Sequence, residues 1–246
     1  MQRDSRRWTR KVALLAAFLL MVGCGPSSDE AADSDVGPRA QTEGNLPVGE
    51  GFDFYVLSLS WSPSFCEASG ERGTPPRQQC GARPYSFVVH GLWPQYEKGF
   101  PEFCQQPAPR LDRNIVSSML DLMPAPRLIF NEWDKHGTCS GLSPNAYFEN
   151  VRKVRASVKI PDAYIAPTEP LTVTPDEVED AFVKANPGLT RDAIAVTCGS
   201  RRLGEVRICV GKDLRFRSCP EIDTRACRRD KVVMPPLRGG SAALTR

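Results

Sequence analysis

The sequence predicts an α+β domain on three observations. Strand-like apolar runs lie near residues 52–60 and 86–90 and return over 193–210; helix-periodic segments fill the middle; and strands do not alternate with helices as βαβ repeats would. Taken in order, Phe52–Ser60 is apolar and aromatic on both faces and reads as a central strand. Residues 67–84 read as a polar loop between Cys66 and Cys80, and Ser86–His90 as a short strand stopped by Gly91. Residues 94–111 carry four prolines and read as a long loop holding Cys104. Asp112 is placed to cap a helix with Ile115, Val116, Met119, Leu120 and Met123 inward, ended by Pro124. Leu128–His136 reads as a helix closed by Gly137 in the left-handed conformation. Ser143-Pro144 opens another, with Tyr147, Phe148, Val151, Val154 and Val158 on one face. Thr174 to Glu177 is a capping-box start for a helix that buries Val178, Ala181 and Phe182. Strands at Ala193–Cys198 and Gly204–Val210 follow, joined by a turn at 201–203, and 235–246 reads as a loose tail.

Composition narrows the function classes. The chain has 246 residues, 41% hydrophobic and 25% charged, and no internal apolar run reaches the roughly 18 residues of a membrane span. Its formal net charge of +3 hides three blocks. Residues 1–23 are basic, 24–50 are acidic, and the body from 51 onward is modestly basic, which tolerates a polyanionic partner without requiring one.

Residues 1–23 read as a signal peptide: a basic region to Lys11, then a short apolar stretch from Val12 to Val22. Leu20-Met21-Val22-Gly23-Cys24 resembles a bacterial lipobox, which makes Cys24 the expected lipidation site and the anchor to a membrane. The acidic, Gly/Ser-rich segment 24–50 is then a solvated tether. Setting Cys24 aside leaves eight cysteines, and an even number in an exported chain implies about four disulfides. Eight cysteines allow 105 pairings, and spacing alone does not choose among them. No C-x-x-C is present, so a zinc ribbon or thioredoxin-like site finds no support, and no metal or other cofactor is expected.

The chain has two histidines. His90 ends an apolar strand beside Gly91, where a side chain reaches an edge. His136 follows Glu132 by four residues, so on a helix the two share a face, and a carboxylate there orients the ring and favours its cation. Lys135 adds positive charge, and Trp93 and Trp133 supply flat apolar surface. Two imidazoles, a carboxylate and a lysine suit phosphodiester transesterification: one ring takes a proton from a hydroxyl, the other gives one to the leaving oxygen, and cations stabilise the transition state. With the ribose 2′-OH as nucleophile, RNA becomes the expected substrate. Singly, each residue has a plainer reading: a hydrogen-bonded strand-end histidine, a surface helix pair, core tryptophans.

Phe87-Val-Val-His-Gly-Leu-Trp-Pro94 and Asn131-Glu-Trp-Asp-Lys-His-Gly-Thr-Cys139 resemble the two active-site segments of the ribonuclease T2 family. With Tyr55–Trp61 ahead of Cys66, the chain is similar to the bacterial secreted branch over roughly 52–231, thinly at 155–190. The resemblance implies an α+β fold with a central antiparallel sheet and flanking helices. It implies His90 as general acid, Glu132 and His136 as catalytic partners with His136 the general base, Lys135 stabilising charge, and Trp93 lining a base site. It further implies the disulfides Cys104–Cys139, Cys198–Cys227 and Cys209–Cys219, with Cys66–Cys80 remaining. Where many members carry a phosphate-assisting histidine, this chain has Asn131, which donates a hydrogen bond but no charge. The expected product is an exported, metal-independent endoribonuclease, monomeric and facing the periplasm or cell exterior. The alternatives are a catalytically silent anchored binding protein on the same fold and a Cys139/His136 thiol hydrolase.

Overall fold

The computed structural model describes residues 51–81 and 83–237. The expected signal peptide, Cys24, the tether and residues 238–246 lie outside the described residues.

Four antiparallel strands form the central sheet in the order β2-β1-β5-β4, with β1 at Phe54–Trp61, β2 at Phe87–Gln95, β4 at Ile194–Cys198 and β5 at Leu203–Val210. As the two-sided apolar pattern predicts, β1 is interior to this sheet. Its alternate side chains diverge: Tyr55, Leu57, Leu59 and Trp61 enter the main core, while Phe54 and Val56 join a smaller cluster with Cys209, Cys219, Trp93 and Ile222. The main-core face is covered by α3 (Arg113–Met119), α4 (Pro126–Lys135), α5 (Pro144–Ser157) and α6 (Pro175–Ala185), which deliver Ile115, Ile129, Trp133, Tyr147, Val151 and Phe182. Short strands β3 (Leu171–Val173) and β6 (Val232–Met234) pair separately. Among the described residues no helix is long and apolar enough to cross a membrane.

All four disulfides implied by the resemblance are present: Cys66–Cys80, Cys104–Cys139, Cys198–Cys227 and Cys209–Cys219. Cys139 is therefore no free thiolate, and the thiol-hydrolase reading falls.

Several elements differ from expectation. Helix α1 (Ser62–Arg72) occupies the first part of the expected loop, with Pro63 opening it, and α2 (Arg77–Cys80) follows before Cys80 closes the bridge. Gly91 does not stop β2. The strand continues to Gln95, because Gly91 pairs with Ser58 while Val89 pairs with Leu59, leaving His90 as the extra residue of a β-bulge. Helix α3 ends at Met119 rather than at Pro124, Leu120 is exposed, and Asp112 makes no side-chain capping bond. Gly137 begins a 3₁₀ turn, Gly137–Ser140, and the left-handed residue is Gly141. Gly137 is small for a different reason: a Cβ there would overlap the Trp133 ring. The capping box at Thr174 is formed, with both reciprocal bonds made. Pro235 and Leu237 are held rather than loose, since the Trp61 indole N–H donates to the Pro235 carbonyl and the Leu237 N–H to Pro167.

Candidate active site

The second face of the sheet forms the floor of a cleft of about 290 Å³, lined by residues from β1, β2, α4, β5 and the 3₁₀ segment Pro220–Arg225. The bulge at His90 sets its chemistry. In an unbroken strand residues three apart point to opposite faces. The inserted residue restores Leu92 to the core face beside Val89 and turns both His90 and Trp93 into the cleft, ring centroids 5.3 Å apart.

Helix α4 contacts β2 and brings Glu132, Lys135 and His136 to the same cleft. Glu132 is buried, accepts the Trp93 indole N–H at 2.6 Å and lies 3.5 Å from His90 Nε2. A Cβ on Gly91 would overlap both Glu132 Oε2 and Trp93 Nε1, so this glycine is what lets the carboxylate and the indole meet. The expected Glu132–His136 pairing is not made. His136 is the residue where α4 ends, at φ −118° and ψ −45°. It sits against Trp93 instead, centroids 5.4 Å apart, with Phe100 beyond at 6.4 Å. The two imidazoles thus flank one indole.

Their surroundings drive them in opposite directions. Burial alone would lower His90, but the hydrogen bond and charge of Glu205, together with the charge of Glu132, outweigh it and Arg207, and its pKa rises above the usual 6.5. His136 has no such partner. Burial, then the positive charges of Lys135 and His90, push it down to about 3, and its buried Nδ1 has no hydrogen-bond partner among the described residues. The expected cation at His136 is therefore replaced by a neutral ring, and the carboxylate expected to serve it serves His90. Burial also raises Glu132, against His90, the Trp93 hydrogen bond and Lys135.

Lys135 lines the cleft while its ammonium pairs with Glu102 at 2.8 Å. Asn131 is exposed, one turn before Lys135, and is not part of the lining. Trp133 is core, its indole N–H donating to the Pro109 carbonyl. The proline-rich loop is tied to this region by Cys104–Cys139 and by the Phe103 N–H bond to the Lys135 carbonyl.

Two site residues escape the sequence reading. Glu205 accepts from His90 Nδ1 at 2.5 Å, and Arg207 holds the other Glu205 oxygen through Nε and Nη2 at 3.0 and 2.8 Å while its guanidinium lies over the Trp93 ring at 5.1 Å. The signal was the alternation in Gly204–Val210: Glu205 and Arg207 lie two apart, on the polar face of a half-buried strand. Among the described residues no cluster of His, Cys, Asp and Glu has the arrangement to hold a metal.

Residues 52–219 match the sequence profile of the ribonuclease T2 family. The chain belongs to the ribonuclease T2 family. A ribonuclease from Aeromonas hydrophila is 41% identical over 104 residues, 42% of this chain and 45% of that protein. A probable ribonuclease from Haemophilus influenzae is 34% identical over 128 residues, 48% of this chain and 47% of that protein. The match thus spans about half the length of these two relatives. Among solved structures, RNase NT in complex with 5′-AMP is 26% identical and superposes with a TM-score of 0.59, covering 76% of this chain and 100% of that one. The T2 fold is thereby shown for this chain.

Proposed function

We propose that this T2-family chain is an endoribonuclease that cleaves RNA by 2′-OH transesterification, leaving 2′,3′-cyclic phosphate ends. One observation carries the reading: two imidazoles, whose surroundings push their pKa values in opposite directions, flank the same indole in one cleft. Neutral His136 accepts the 2′-OH proton as O2′ bonds to phosphorus. Cationic His90 gives its Nε2 proton to the departing 5′-oxygen as the P–O5′ bond breaks, so the protons balance. Glu132 holds Trp93 and faces His90, while Lys135 and Arg207 place positive charge where the phosphorane develops. RNA as substrate is supported by the family and by the nucleotide that accompanies RNase NT.

We further propose export and anchoring through a lipid on Cys24, with the domain acting as a monomer. Four disulfides suit an oxidising compartment, and the catalytic groups all come from one chain. Digestion of a defined RNA, with the ends identified by mass spectrometry, tests the reaction. Cyclic phosphates are expected, with activity retained in EDTA and lost in His90→Ala and His136→Ala. Absence of cleavage throughout about pH 4–8, a span around the ordinary imidazole pKa, sinks it in favour of the silent binding protein.

A further inference from the structure

We propose that Glu205 is a positioning residue that holds His90 as the proton donor of the cleft, with Arg207 anchoring its carboxylate. The inference rests on the ribonuclease reading above and adds to it a residue on a strand remote in sequence from both active-site segments.

The geometry is that of a three-membered relay of position. His90 is the unpaired residue of a bulge, so the ladder with β1 does not fix it, and its side chain is about a third exposed. Glu205 stands on β5 opposite Ser60 of β1, and the Ser60 hydroxyl donates to the same Oε1 that accepts His90 Nδ1. Arg207 occupies Oε2 with two N–H groups. Both carboxylate oxygens are thereby assigned, and the anion is fixed from two strands. An imidazolium whose Nδ1–H is committed to a fixed carboxylate has one proton left to transfer, on Nε2. That nitrogen faces Glu132 and the cleft. The arrangement does two things at once: it aims the ring, and it keeps the ring charged despite burial.

The charged and titratable groups facing His90 are Glu205 and Arg207 from β5, Glu132 and Lys135 from α4, and His136 just beyond it. Glu205 stays ionised in mild acid and above: burial raises its pKa, but His90 and Arg207 hold it down to about 2. Removing its charge leaves burial and Arg207 acting on His90 with only Glu132 opposing.

The test uses two substrates. A dinucleotide has an alkoxide leaving group that needs a proton; a nucleoside 3′-(4-nitrophenyl phosphate) leaves as a stabilised phenolate that does not. In Glu205→Gln, which keeps the shape and the acceptor but not the charge, kcat on the dinucleotide should fall about ten-fold or more, and on the aryl ester by less than about three-fold. The alkaline limb of the dinucleotide profile should move to lower pH. Equal losses on both substrates, from misfolding or otherwise, or no loss on either, overturn the proposal. A second readout needs no activity: with His136→Ala as background, His90 is the only imidazole, and its NMR titration midpoint should fall on adding Glu205→Gln. An unchanged midpoint overturns the positioning role even where the chain cleaves RNA. Failure of the wild-type chain to cleave either substrate overturns the ribonuclease reading instead.

Discussion

The opposite charge states of His90 and His136 set a pH window for cleavage. The base must be unprotonated, which holds above the value of about 3 to which burial, Lys135 and His90 depress His136. The acid must be protonated, which holds below the pKa of His90, raised above 6.5 against burial by Glu205 and Glu132. A plot of kcat/KM against pH should therefore rise out of the strongly acid range, stay flat through mild acid, and fall only on the alkaline side of 6.5. A maximum confined to alkaline pH would contradict this assignment of acid and base. Gly91 permits a second prediction. Gly91→Ala drives a methyl group into the Glu132–Trp93 contact. The expected loss is about 100-fold in kcat from misplaced groups, against a stability cost of about 1–3 kcal/mol from overpacking. Parallel kinetics and urea unfolding separate the two, and near-wild-type kcat would show that the contact is dispensable.

Among the elements, the bulge in β2 and the Cys104–Cys139 bridge do the most to shape the cleft. The bridge spans 35 residues and ties the loop carrying Phe100 and Glu102 to the segment that follows His136. Replacing both cysteines by serine should cost about 2–5 kcal/mol in urea unfolding, chiefly by freeing the unfolded chain. Because Phe100 and the Glu102–Lys135 pair hang on that loop, KM for RNA should rise as well. Loss of stability with unchanged KM would confine the bridge to a structural role. Gly137 illustrates a different constraint: it begins a 3₁₀ turn under the Trp133 ring, where size rather than backbone conformation demands glycine.

For the whole molecule, the balance of charge matters more than its total. Arg207, Arg225 and Lys135 line the cleft, so RNA binding should release counterions. Raising salt from about 50 to 500 mM should raise KM steeply, with log KM rising by about 0.7 per decade of salt for each phosphate contact. A salt-independent KM would mean that the cleft cations do not meet the substrate backbone.

Much of this chain can be read from its residues alone. Both active-site segments, the α+β order, the capping-box helix and the even cysteine count were legible because each is local: a motif, a period or a composition. The disulfide partners came from family resemblance, and spacing alone left all 105 pairings open. The remaining features depend on contacts between segments distant along the chain. Local spacing assigned Glu132 to His136, yet the helix ends at that ring and the carboxylate serves His90 across the strand. A bulge defined by its neighbour's register put His90 and Trp93 on one face, which no pattern within β2 reveals. Glu205 reached His90 from 115 residues away along the chain. Short strands β3 and β6 were likewise invisible, since three residues carry no period and each exists only through its partner. Charge state follows the same rule: an imidazole's pKa is set by burial and by the charges around it, and only the folded chain places those.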